Sequence, residues 1–182
     1  MKINRIAIIA VLAILTVVLA GSASAFDLSF LTGSDDAAQD VNIGGIDFTI
    51  PAGFTENEDY KIDNETTSAS SDFHMNAAGF EDDSKKNAIY IMVADYGGYN
   101  VTNEVIEQVL DSDDAVKKTI NGHDGYFMEV NNDQASEVND QTEILNLENM
   151  TSDKVYMFIY EESGDLVYIG ATEESYLNEV IH

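Results

Sequence analysis

Three times along this chain an apolar run is followed, after a short polar or glycine-containing break, by a second apolar run, and that pairing confines the fold to one built from antiparallel hairpins. Asp72 to Phe80 (DFHMNAAGF) and Ala88 to Val93 (AIYIMV) flank EDDSKKN, the composition of a hairpin loop. Between Lys117 and Val130, KKTI and GYFMEV flank Asn121-Gly122, a dipeptide suited to the two positive φ angles of a type I′ turn. Val155 to Tyr160 (VYMFIY) and Leu166 to Ala171 (LVYIGA) flank Ser163-Gly164 in the same way. Upstream, VNIGGIDFTIP sets Ile46, Phe48 and Ile50 in alternation, and Pro51-Ala52-Gly53 ends the strand. Gly44-Gly45 reads as a tight turn after a short Val41 to Ile43 strand, or as a bulge. Thr142 to Leu147 is a further short strand, after the polar loop Asn131 to Gln141.

Two segments carry helical spacing instead. Thr102 is placed as N-cap of a helix reaching Leu110, with Val105, Ile106, Val109 and Leu110 on one stripe, and Asp111-Ser112-Asp113-Asp114 ends it. Glu173 to Ile181 sets Tyr176, Leu177, Val180 and Ile181 on one face. The fold class is therefore α+β: an antiparallel sheet of about six strands with one or two helices packed on it, preceded by an N-terminal apolar helix. There is no internal repeat.

That apolar helix is the N-terminal segment MKINRIAIIAVLAILTVVLAGSASA, in which Lys2 and Arg5 precede a long apolar run and Ala23-Ser24-Ala25 closes it, the pattern of a secretory signal. Ile6 to Ala25 is also long enough to span a bilayer, so residues 1–25 are read as signal peptide or membrane anchor. With positive charge only ahead of the run, the rest of the chain is expected outside, secreted or held at the cell surface. Residues 26–40, punctuated by Gly, Ser and Asp, form an acidic spacer, and residues 41–182 a single domain. Its length supports a core that folds without staples, in keeping with the absence of cysteine.

After residue 25 the chain holds 34 acidic residues against six lysines and no arginine, a formal charge of 28 negative. Such a polyanion has no guanidinium fork for phosphate and repels nucleic acid, which is excluded as a partner. Anionic headgroups repel it too, so membrane contact is expected only through the N-terminal segment. The charge itself reads as a solvated surface, screened at moderate salt.

Ile46 to Phe54 (IDFTIPAGF), Lys118 to Phe127 (KTINGHDGYF) and Leu166 to Ile181 (LVYIGATEESYLNEVI) together resemble a group of small, exported, uncharacterised proteins of methanogenic archaea. The order of a strand ending in Pro-x-Gly-aromatic, a sheet, a helix, and a last strand leading into a helix is also similar to the PsbP-like fold family. The first resemblance implies localisation and architecture; the second implies a binding or accessory protein without an active site.

Candidate sites are few. Tyr90, Tyr156, Phe158, Tyr160 and Tyr168 alternate with aliphatic residues along two strands, giving two apolar faces; if one lies open, its aromatic row could grip an envelope glycan or a protein partner. Asp111, Asp113 and Asp114 offer oxygen ligands for Ca²⁺, although the loop lacks the glycine and the final glutamate of an EF-hand. No other cofactor is expected. His74, His123 and His182 share no metal-binding spacing, and a joint site would require folding to bring them together. Glycosylation sequons stand at Asn64, Asn100 and Asn149, in expected loops or near a helix start. No nucleophile elbow, phosphate loop or dinucleotide fingerprint is present, so no catalytic residue is assigned. The sequence points to an exported, non-catalytic binding or envelope-associated module. Its rivals are an envelope-glycan hydrolase using two carboxylates, and a cation-dependent structural domain.

Overall fold

A computed structural model of the chain describes residues 37–67, 70–110, 115–131 and 154–182. The N-terminal apolar segment, most of the spacer, and the expected strand at Thr142 to Leu147 lie outside these residues.

The first hairpin pairs β1 (Gln39–Ile43) with β2 (Ile46–Ile50) as a separate two-stranded sheet. Gly44 and Gly45 make its turn with φ of 60° and 90°, so the tight-turn reading holds rather than the bulge. A side chain at Gly44 would also strike Val93, since a Cβ there would lie 2.9 Å from that residue; the turn thus rests directly on the main sheet.

That main sheet has seven strands in the order β3-β4-β5-β9-β8-β7-β6. The strands are β3 (Phe54–Thr67), β4 (Ser70–Asp82), β5 (Ala88–Asp95), β6 (Val116–Ile120), β7 (His123–Asn131), β8 (Lys154–Glu162) and β9 (Asp165–Ala171). Every pairing is antiparallel. The expected hairpins are β4–β5, β6–β7 and β8–β9, and the last two turn at residues with positive φ, Asn121-Gly122 and Ser163-Gly164. Two meanders result, β3 to β5 and β6 to β9, and they meet where β5 pairs with β9. Thr172 extends that seam beyond β9: its amide donates to the Ala88 carbonyl at 3.1 Å, and its hydroxyl accepts the Ala88 amide at 3.1 Å.

Strand β3 has no counterpart in the sequence reading. TENEDYKIDNETT follows Phe54 with only Tyr60 and Ile62 as large apolar residues, and its pairing with β4 shifts register three times. An edge strand needs few buried side chains, so its pattern is faint.

The short helices α1 (Asn103–Leu110) and α2 (Glu174–Val180) cover opposite faces. One face carries Ile89, Ile91, Val93, Phe158, Val167 and Ile169 under the β1–β2 hairpin and α2, which contributes Leu177, Val180 and Ile181. The other carries Tyr90, Met92, Tyr126, Met128, Ile159 and Tyr168, and α1 packs on it through Ile106 and Leu110. Burying both faces leaves β5 covered from Ala88 to Ala94. The expected α1 stripe is narrower than its spacing suggests, since Val105 is 46 % exposed. Thr102 does cap the helix: its carbonyl accepts the amides of Val105 and Ile106 at 3.0 Å, and its hydroxyl that of Val105 at 3.4 Å.

Candidate functional site

The five aromatic residues singled out in the sequence do not form one row. Successive residues of a strand point to opposite faces, and the pairing of β5, β8 and β9 places Tyr90 and Tyr168 on the α1 face but Tyr156, Phe158 and Tyr160 on the α2 face. Tyr90, Phe158, Tyr160 and Tyr168 are buried, at 1, 0, 2 and 7 % exposure; Tyr156 is half-buried and stacks on Phe127 at 6.3 Å. The open aromatic platform is therefore corrected: both faces are covered, because each has a helix to bury against.

The two faces differ in chemistry. Aliphatic and phenylalanine side chains dominate under α2, whereas the α1 face gathers Tyr60, Tyr90, Tyr96, Tyr126 and Tyr168 with Met75, Met92, Met128 and Met157. Two glycines make this possible. A Cβ at Gly79 would fall 2.7 Å from the Cβ of Tyr60, and one at Gly170 would fall 3.1 Å from the Tyr168 hydroxyl, so each side chain packs in space that a Cβ would occupy. Gly79 and Gly170 are the strand neighbours of Tyr90 on either side.

Tyr90 is thus set among aromatic and thioether groups. Its ring meets Tyr168 edge-on at 6.3 Å, and its hydroxyl is buried with no hydrogen-bond partner among the described residues. Desolvation, with a smaller contribution from Tyr168, drives its pKa far above the usual phenol range, so it is a neutral donor. The Tyr168 hydroxyl donates only to the Met157 sulfur, at 3.0 Å, a weak acceptor. Two adjacent phenols in an apolar layer therefore have donor capacity that the protein leaves nearly unused. Tyr96 follows at the end of β5, its ring edge-on to Phe73 at 5.1 Å and its own hydroxyl unpaired among the described residues; burial lifts its pKa to about 12.

A second constellation crosses one end of the sheet on the α2 face. His74 pairs with Asp95 across β4 and β5. Asp95 follows Ala94 and Asp165 precedes Leu166, the pair at this end of the β5–β9 ladder, and Asp165 pairs with Glu162 across β9 and β8. Nδ1 of His123, on β7, lies 3.0 Å from a Glu162 carboxylate oxygen. All five are half-buried. Desolvation first, then the negative charge of Asp95, raises the pKa of Asp165, and Nδ1 of His74 is buried without a partner among the described residues. Sequence reasoning missed this row because its members come from five strands and only the register aligns them. The adjacent acids Glu161 and Glu162 do part to opposite faces; Glu161 accepts the Gly164 amide at 3.1 Å.

Asp111, Asp113 and Asp114 lie outside the described residues, and among the described residues no group of three or more His, Asp and Glu is arranged to hold a metal ion. Asn100 is exposed just before α1, with Gly164 close to its side chain. Asn64 falls within β3 rather than in a loop, a correction that follows from that edge strand, and Asn149 lies outside the described residues. Among the described residues no helix is long and apolar enough to cross a membrane.

Comparison with family models, with curated proteins and with solved structures finds no match to this chain.

Proposed function

We propose that the chain is an exported, non-catalytic binding module, released or held at the cell surface by its N-terminal segment, that takes a small, mainly apolar ligand against its tyrosine–methionine face. The observation that carries this reading is the buried Tyr90 hydroxyl, unpartnered among the described residues, beside the scarcely satisfied hydroxyl of Tyr168. An orphaned buried donor costs about 1–3 kcal/mol, a cost that a ligand acceptor would remove. Thioethers adapt to varied shapes, and pockets of this kind combine an apolar lining with a few polar groups. The cover is slight as well, since α1 has only eight residues.

Tyr90→Phe tests it. Without ligand the variant is expected to be as stable as the wild type or more stable by about 1 kcal/mol, because it deletes a polar atom that has no partner. Binding of the neutral apolar dye Nile red, followed by its emission, is expected to weaken about tenfold. A variant that is less stable and binds the dye equally well would make the hydroxyl a structural group and end this reading.

A second reading, hydrolysis of envelope glycans through two carboxylates, is favoured by one observation: desolvation first, and then the negative charge of Asp95, raises the pKa of Asp165, the direction a general acid needs. It requires that Asp165→Asn abolish sugar release from envelope polysaccharide at mildly acidic pH. If the wild type releases none, the reading is dropped.

A further inference from the structure

Gly170 leaves a gap in the row of side chains that β5, β9 and β8 present on the α1 face. Its strand partners are Tyr90 on one side and Met157 on the other, and the hydroxyl of Tyr168 fills the space between them, 3.1 Å from where a Gly170 Cβ would stand. From there it donates to the Met157 sulfur at 3.0 Å. A thioether is a weak acceptor. The Tyr90 hydroxyl, whose ring lies 6.3 Å from that of Tyr168, has no partner among the described residues. The slot beside Met157 is therefore rich in donors and short of one strong acceptor.

Oxidation of the sulfur supplies that acceptor. The chain has no cysteine, so its thioethers are the side chains most readily oxidised by peroxides. Four methionines belong to this face, and they differ in access: Met75, Met92 and Met128 are buried, whereas Met157 is half-buried. A hydroperoxide therefore reaches Met157 before the other three. The sulfur lone pair attacks the terminal peroxide oxygen, and an S–O bond forms as the O–O bond breaks. The proton of the transferred oxygen passes to the leaving one, which departs as water or an alcohol. Sulfur loses two electrons and the peroxide gains them. The product is a sulfoxide, whose oxygen accepts hydrogen bonds far better than the thioether did.

A sulfoxide in a core ordinarily disrupts packing, because it sets a polar group among apolar ones. Here its neighbour is a phenol with a donor to spare. We propose that Met157 is a modification site, oxidised by hydroperoxides, whose sulfoxide oxygen is held by the Tyr168 hydroxyl, so that the fold accepts the modification instead of being broken by it. The inference goes beyond the ligand proposed for this face and does not depend on it.

The test treats the full-length protein with hydrogen peroxide, following each methionine by peptide mass spectrometry and the whole by its thermal midpoint. Met157 is expected to oxidise about tenfold faster than Met75, Met92 or Met128, with the midpoint unchanged or raised at the stage where it alone of the four is modified. In Tyr168→Phe the same modification is expected to lower the midpoint by about 3 °C or more, because the new oxygen then lacks its donor. Met157→Leu, the control for Met1 and Met150, is expected to keep its midpoint under the same treatment. If Tyr168→Phe does not fold, Met157→Gln decides: its carbonyl stands in for the sulfoxide oxygen, and it is expected to unfold at the same temperature as Met157→Leu or above it. Oxidation of Met157 no faster than that of the buried three, an equal fall in midpoint with and without the Tyr168 hydroxyl, or a Met157→Gln midpoint about 3 °C or more below that of Met157→Leu would overturn the proposal.

Discussion

Asp82 organises a whole loop from one carboxylate. Its oxygens accept the Lys86 amide at 2.9 Å, the Asn87 amide at 3.3 Å, the Asn87 side-chain amide at 2.9 Å and the Ser84 hydroxyl at 2.9 Å. Partial desolvation pushes its pKa upward, but these bonds together outweigh that and hold it below the usual aspartate range. A group with a depressed folded pKa contributes stability that is full above its unfolded value and disappears as pH falls through the folded one. Asp82→Ala is therefore expected to cost about 1 kcal/mol at neutral pH, the solvated position keeping the loss small, and the gap to the wild type in urea midpoint should narrow at a pH below the usual aspartate range. An equal gap at both pH values would show that the loss comes from loop packing. Such roles are hidden in the sequence. EDDSKKN announces a loop by composition, but which of its acids turns inward depends on closure of the loop. The same holds for Tyr90 and Tyr160, whose alternation gave both apolar faces without saying what would cover either.

Elements were legible where turn chemistry and burial spoke together. Asn121-Gly122 and Ser163-Gly164 marked their hairpins because few residues tolerate those φ angles, and α2 was visible from Leu177, Val180 and Ile181, all now buried. The missed β3 lacks such signals: its outer edge needs no partner, and its bulged register breaks the alternation that would have revealed it. The same contrast sets an expectation for the helices. Leu177→Ala removes a side chain with no exposed surface from the layer over Phe54, Phe158 and Ile169, and should cost about 2–5 kcal/mol in urea unfolding. Val105→Ala, on the open side of α1, should change stability by less than about 0.5 kcal/mol. Similar losses in the two would mean that α2 is not a fixed part of the core.

For the molecule as a whole, charge is the dominant variable. A chain with 34 acidic residues and eight basic ones repels itself, and added salt should raise its thermal midpoint until the Debye length falls to a few ångströms. Sodium and calcium at equal ionic strength are expected to act alike; a saturable excess with calcium would point instead to native-state binding and to Asp111, Asp113 and Asp114. The order of the strands has another consequence, for how the chain comes into being. Among the described residues the strands of the two meanders pair through β5 and β9, whose register ties Ile89 to Ala171 and Ala94 to Leu166. A chain delivered N-terminus first therefore arrives with its first half-sheet unfinished along the very edge that will become the centre. That strand stays a bare template for mispairing until β9 emerges, and during this interval the mutual repulsion of so many carboxylates opposes its pairing with other copies of the chain.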